Sequence, residues 1–192
     1  VNVGVLALQG GFAAHAAALD RLGVPVREVR RCAQLAGLDG LVLPGGESTT
    51  LLNLMRDEPW FAELGRFHAA GGALLGTCAG AILLAREVRP SQASLGLLDA
   101  SIERNAYGRQ VDSFERALPA PALGATLRAL FIRAPRFVAL GPQVTVLAAL
   151  GGEPVLVRQG RVLAASFHPE LGDDSELHRL FVALASPDAT RS

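Results

Sequence analysis

The stretch Gly76-Thr77-Cys78-Ala79-Gly80 sets a thiol among small residues. An apolar run precedes it, and a segment that can be helical, residues 79–85, follows. This is the pattern of a nucleophile elbow with cysteine in the serine position. The spacing has a steric cause. The nucleophile sits on a sharp strand-to-helix turn, and small neighbours let other backbone pass close by. Such a turn presents the sulfur at a helix N-terminus, where the dipole and an adjacent base favour thiolate. A buried structural cysteine between glycines is the alternative, and the strand–turn–helix context favours the nucleophile. Cys32 has no such setting and reads as a packed or surface thiol.

A thiol nucleophile needs a base. His15, His68 and His178 fall on predicted helices among ordinary neighbours, so surface or packing roles are expected of them. His168 follows the apolar segment 162–167 and precedes Pro169-Glu170. Residues i and i+2 of an extended segment share a face, and a following proline biases His168 toward extended geometry. Glu170 would then steady the imidazole while its other nitrogen faces a thiol. Alone, His-Pro-Glu could equally be a surface loop. A third piece, Pro44-Gly45-Gly46-Glu47-Ser48-Thr49, joins a strand to a helix. Its backbone N–H groups, with that of Ala79, could stabilise an oxyanion. Ser48 or Thr49 could also cap the helix. A phosphate-binding loop is a poor reading, because the Gly-x-x-x-x-Gly-Lys pattern is absent and the chain has no lysine. The lack of lysine also excludes Schiff-base chemistry on that residue.

Strands and helices must bring these pieces together. Residues 3–8, 24–29, 40–43 and 73–75 read as strands. Phe12, Ala16, Leu19 and Leu22 recur at helical spacing before Gly23, and Leu51, Leu52, Leu54 and Met55 lie on a further helix. The alternation predicts an α/β fold with a mostly parallel central sheet flanked by helices. The second half is richer in short apolar segments, at residues 127–132, 137–140 and 144–150. Residues 101–115 read as strand and loop. Arg158-Gln159-Gly160-Arg161 reads as the turn of a hairpin. A last helix, capped by Asp173 or Asp174, carries Leu177, Leu180, Phe181 and Leu184 on one face.

The 192 residues suit one domain, expected over 1–185, with a frayed tail over 186–192. Half are hydrophobic and 19% charged, which excludes disorder over most of the length. Eighteen basic residues balance eighteen acidic ones without a basic block, so no nucleic-acid partner is expected. Two cysteines make neither a disulfide framework nor a structural zinc site. No apolar run is long enough to span a membrane, and residues 1–8 lack a secretory pattern, so a cytoplasmic location is expected.

Six motifs in order then carry a resemblance: Leu6-Ala7-Leu8-Gln9-Gly10, residues 44–50, residues 76–80, Glu103-Arg104-Asn105-Ala106-Tyr107-Gly108-Arg109-Gln110, Phe131-Ile132-Arg133-Ala134-Pro135, and Ser166-Phe167-His168-Pro169-Glu170-Leu171. Nearly end to end, the chain resembles the class I, triad-type glutamine amidotransferases of flavodoxin-like fold. It is most similar to the glutaminase subunits of pyridoxal 5'-phosphate synthase, which serve vitamin B6 biosynthesis. The resemblance implies that Cys78 attacks the glutamine amide and forms a glutamyl thioester, that His168 moves the proton, and that Glu170 orients His168. It implies an oxyanion hole at the Gly46 and Ala79 N–H groups. It implies an L-glutamine pocket lined by Gly46, Glu47, Ser48, Arg104, Ile132 and Arg133, with no metal or cofactor. Arginine suits the α-carboxylate of glutamine, because its planar fork can pair with it.

The resemblance also implies a separate (β/α)8-barrel synthase subunit in a large hetero-oligomer. That subunit builds pyridoxal phosphate from ribose 5-phosphate, glyceraldehyde 3-phosphate and ammonia, and its docking raises a weak glutaminase activity. Two departures stand out. Gly172 replaces a frequent small polar residue, and Gly11 replaces a frequent acidic one; neither is expected to touch the triad. The rivals are a glutaminase feeding another pathway such as histidine biosynthesis, a flavodoxin-like cysteine hydrolase, and a catalytically dead regulatory subunit.

Overall fold

The computed structural model describes residues 1–104 and 113–187. Residues 105–110 of the Glu-Arg-Asn motif and residues 188–192 of the expected tail lie outside the described residues. The first half runs β1 (Val3–Leu6), α1 (Phe12–Asp20), β2 (Val26–Val29), β3 (Gly40–Leu43), α2 (Ser48–Leu54), α3 (Trp60–Ala69), β4 (Ala73–Thr77) and α4 (Ala79–Leu84). The second half is mostly strand: β5 (Ala85–Arg89), β6 (Leu98–Glu103), β7 (Phe114–Ala120), β8 (Ala125–Phe131), β9 (Arg136–Leu140), β10 (Thr145–Leu150), β11 (Glu153–Gln159) and β12 (Val162–Ala165), closed by α5 (Glu176–Ala185).

A seven-stranded sheet in the order β10-β11-β12-β4-β3-β1-β2 forms the centre. Its β12-β4-β3-β1-β2 portion is parallel throughout, and β11 and β10 extend it antiparallel. β1, β3, β4 and β12 are buried on both faces, which explains their unbroken apolar runs. Side-chain alternation divides the core in two. One face packs Val3, Val5, Val42, Leu75 and Leu163 with Leu19, Phe167 and Phe181. The other packs Leu6, Leu41, Leu43 and Leu74 with Leu51, Trp60, Leu64 and Leu84.

The remaining strands make a three-stranded sheet, β5-β6-β9, and the β7-β8 hairpin. The hairpin lies on the α1 and α5 side, where Phe131 contacts Phe114 and Phe167 at ring-centroid distances of 4.9 and 5.7 Å. The turn read at residues 158–161 joins β11 to β12, with Gln159 opposite Val162 and Gly160 at φ 54°. Two expectations are corrected. The first residue of α5 is preceded by Ser175, not capped through Asp173 or Asp174 as an N-cap; Asp174 instead accepts from the Glu176 N–H at 3.4 Å and from the Arg128 N–H at 2.7 Å. The helix after the elbow stops at Leu84, because Ala85 turns extended and begins β5.

The positions that matter are the C-terminal ends of four neighbouring parallel strands. Register pairs Leu43 of β3 and Ala164 of β12 with Gly76 of β4, and Ala165 with Thr77. The loops leaving β1, β3, β4 and β12 therefore start at one height. Those loops carry Gln9 to Gly11, Gly45 to Glu47, Cys78, and His168 to Glu170, where ligands of open α/β sheets bind.

Candidate active site

Cys78 occupies the turn between β4 and α4 with φ 48° and ψ −105°, a strained conformation for a residue with a side chain. Its N–H donates to the Ala165 carbonyl of β12 at 2.9 Å, which ties the elbow to the strand that leads to His168. Small neighbours are required here. A Cβ on Gly80 would meet the Leu43 carbonyl oxygen at 1.9 Å, and one on Gly76 would meet the Gly80 backbone at 2.6 Å. Cys78 is 7% exposed.

His168 sits against the same turn. A Cβ on Gly45 would lie 2.5 Å from His168 Cε1 and 3.2 Å from Cys78 Cβ, so the two side chains share one wall. Glu170 Oε1 accepts from His168 Nδ1 at 2.8 Å. The meeting is made by a 3-10 turn over Pro169–Leu171, not by the extended segment expected from the sequence. Burial disfavours charge on His168, but its hydrogen bond and attraction to Cys78, and those to Glu170, prevail and raise it to about 10. Burial would raise Glu170, but the His168 hydrogen bond and the neighbouring His15 and His168 outweigh this and leave it below the usual range.

One cavity of about 530 Å³ opens at this point. Its lining includes Cys78 and His168, all six of the residues expected to hold substrate, and Ile82. Arg104 Nη1 donates to Ser48 Oγ at 3.3 Å and to Gln92 Oε1. Ser48 Oγ in turn donates to Gln92 Oε1 at 3.0 Å. Arg133 joins Cys78 as the second non-glycine residue with positive φ among those described, at 45°. Ile132 and Arg133 follow β8, and that strand is tied to His168, whose N–H donates to the Leu130 carbonyl at 2.8 Å. The cap of α2 is neither Ser48 nor Thr49. Glu47 takes that place, accepting from the N–H groups of Thr49 and Thr50 at 3.1 and 2.8 Å and from both hydroxyls. Those bonds, led by the Thr49 hydroxyl, lower its carboxyl to about 2.

Several contributors take roles that the sequence reading does not assign them. Gln9 Oε1 accepts from the Glu47 N–H at 3.2 Å, and a Cβ on Gly46 would strike it at 2.2 Å. Thr77 Oγ1 accepts from the Gly45 N–H at 3.0 Å. His15 and His178, both fully buried, form a chain behind the acid: His178 Nε2 lies 2.9 Å from His15 Nδ1, and His15 Nε2 lies 3.0 Å from Thr77 Oγ1 and 3.3 Å from Glu170 Oε2. The expectation that Gly11 stands clear of the triad is wrong, since a Cβ there would lie 2.9 Å from Glu170 Oε1. A Cβ on Gly172 would meet the Arg128 and Pro169 carbonyl oxygens at 3.5 and 3.6 Å, ordinary contact.

A thiol, an imidazole and a carboxylate thus stand in series at the rim of a parallel sheet, beside a cavity holding an arginine. The SNO glutamine amidotransferase family matches residues 5–186. The chain belongs to that family. It is 55% identical to the pyridoxal 5'-phosphate synthase subunit PdxT of Deinococcus radiodurans, over 98% of this chain and all of that protein. It is 57% identical to PdxT of a strain of Thermus thermophilus, over 95% of this chain and 97% of that one. A crystal structure of a glutamine amidotransferase, 54% identical, superimposes with a TM-score of 0.91 over 96% of this chain and 99% of that one. A glutamine amidotransferase from Thermotoga maritima, 14% identical, shares the fold with a TM-score of 0.60 over all of this chain and 85% of that one. The flavodoxin-like amidotransferase fold expected from the sequence is thus the observed one.

Proposed function

We propose that the chain hydrolyses L-glutamine to L-glutamate and ammonia, and passes the ammonia to a synthase subunit that makes pyridoxal 5'-phosphate. One observation carries the reading: Cys78 and His168 converge on a single cavity lined by Gly46, Glu47, Ser48, Arg104, Ile132 and Arg133, with Glu170 bonded behind the imidazole. Cys78 Sγ passes its proton to His168 and attacks the side-chain amide carbon of glutamine. Charge collects on the amide oxygen, and the Gly46 and Ala79 N–H groups receive it. His168, charged by that proton, gives it to the departing nitrogen, and ammonia leaves a glutamyl thioester. Neutral His168 then takes a proton from water, which attacks the thioester and returns glutamate and the thiol.

The charges of the cavity suit an amino acid. Arg104 offers a guanidinium fork to the α-carboxylate. Glu47, ionised down to low pH, offers a partner to the α-ammonium. High identity to proteins named as pyridoxal 5'-phosphate synthase subunits supports the pathway and a separate acceptor. That acceptor is a (β/α)8-barrel subunit in a hetero-oligomer, and a protected route between the two keeps ammonia from protonation and loss. Glutamine hydrolysis measured with and without the synthase tests the reading. Turnover should rise with synthase present, and Cys78→Ala should bind the synthase yet release no ammonia. Full turnover by Cys78→Ala would overturn the mechanism, and recovery of a non-barrel acceptor in a pull-down would overturn the pathway.

A further inference from the structure

Behind the triad lies a pair of buried imidazoles with no part in the chemistry just described. Glu170 is 5% exposed, and its Oε1 is engaged by His168. Its Oε2 is buried and lacks a well-aligned hydrogen bond among the described residues, with His15 Nε2 standing 3.3 Å away. The protonation of His15 therefore decides what that oxygen meets. A bare Nε2 could accept from the Thr77 hydroxyl at 3.0 Å, but it would also turn a lone pair toward a buried carboxylate oxygen, a costly opposition. A protonated Nε2 offers its hydrogen to Thr77 Oγ1 and Glu170 Oε2 together.

The neighbours fix which arrangement holds. Burial, only partly offset by Glu170 and reinforced by His168, lowers His15 to about 4, so the ring is neutral and carries one proton. With that proton on Nε2, Nδ1 is an acceptor and must be met by a donor. His178 Nε2, at 2.9 Å, is that donor. His178 is itself neutral, lowered to about 3 by burial and by His15 and Arg21 against the pull of Glu170. Its Nδ1 is then a bare acceptor, and that atom is buried without a partner among the described residues. The opposite order would leave a buried N–H orphaned at the same place, and orphaned donors are the rarer and costlier outcome.

We propose that His15 is a positioning residue: His178 sets its tautomer, and its Nε2–H holds the second oxygen of Glu170 so that the first stays aimed at His168. The relay runs His178, His15, Glu170, His168, Cys78, and His15 also reaches the site through Thr77, which holds the Gly45 N–H. This rests on the reading of Cys78, His168 and Glu170 as the triad.

The test uses the chain with its synthase, assayed for glutamine hydrolysis. His15→Leu should lower kcat by roughly tenfold to a hundredfold, the size of one hydrogen bond to a charged group, while KM for glutamine stays within about twofold. His15→Gln should restore most of the rate, because its amide nitrogen can occupy the Nε2 position. Nitrogen-15 spectra of the histidine-labelled wild-type chain should show His15 and His178 neutral with the proton on Nε2. That readout needs no variant to fold. A folded His15→Leu with wild-type kcat, a His15→Gln as slow as His15→Leu, or a proton on His15 Nδ1 would each overturn the proposal. Cys78→Ala runs beside them: turnover by that variant would instead bring down the triad on which the proposal stands.

Discussion

Gly45 is the position at which sterics and chemistry can be separated most cleanly. Its backbone is not in the left-handed region, so alanine is conformationally allowed. The obstacle is the added methyl, which would lie 2.5 Å from His168 Cε1 and 3.0 Å from Nδ1, nearly an ångström inside ordinary contact at 3.4 Å. Gly45 itself cannot yield, because its N–H is held by Thr77 Oγ1 and its carbonyl by the Gly11 N–H, both at 3.0 Å. The ring must therefore move, by roughly the overlap. A displacement of about 1 Å in reacting groups costs on the order of a hundredfold in rate. Overpacking of this kind destabilises by about 1–3 kcal/mol, a fall in Tm of roughly 2–12 °C at this length. Gly45→Ala should thus lose about two orders of magnitude in kcat for glutamine hydrolysis while remaining folded. Assays of initial rate with synthase present, beside calorimetry, read both quantities. Wild-type kcat in a folded Gly45→Ala would refute the placement of His168 beside Cys78.

Arg104→Gln should raise KM for glutamine by about one to two orders of magnitude with a smaller effect on kcat, as loss of a charged contact to the α-carboxylate requires; an unchanged KM would remove Arg104 from the pocket's function. Glu47 has a folded-state value near 2 against 4.5 unfolded, so its stabilising effect is present above pH 4.5 and fades as pH falls from there toward 2. The stability gap between wild type and Glu47→Gln should accordingly close over that window in urea titrations, and a gap independent of pH would contradict the cap. Cys32 is pushed up to about 12 by burial and by the Glu58 hydrogen bond and charge, with Glu63 adding to it. At about pH 8, below the ordinary thiol value, an alkylating glutamine analogue should mark Cys78 and leave Cys32 unmodified by peptide mass, and the reverse pattern would reverse the roles of the two thiols.

The parallel half of the sheet was legible because strands buried on both faces leave continuous apolar runs, as in Val3 to Leu6 and Gly40 to Leu43. Cys78 was legible because a close-packed elbow demands glycine at 76 and 80. Arg104, Ile132 and Arg133 needed the resemblance: nothing in their local pattern tells which of 18 arginines faces a cavity. Gln9, Thr77 and Gln92 act through contacts 38, 32 and 44 positions away, which no local period encodes. His15 and His178 did leave a trace. Each lies on the helix stripe that faces the core, beside Phe12 and Leu19 or Leu177 and Phe181, where a solvated histidine has no place. The capping of α2 was misassigned because Ser48 and Thr49 outrank Glu in capping preference, whereas here the longer carboxylate reaches two N–H groups and two hydroxyls at once.

The central claim is that Cys78 becomes covalently joined to the glutamyl group during turnover. The most direct measurement is acid quenching of the synthase complex while it hydrolyses carbon-13 glutamine, followed by peptide mass analysis of wild type and His168→Ala. The expected result is a labelled glutamyl adduct on the Cys78 peptide of wild type, absent without glutamine and strongly reduced in His168→Ala. Steady ammonia release from wild type with the label on Cys32, or with His168→Ala forming the adduct at the wild-type rate, would contradict it.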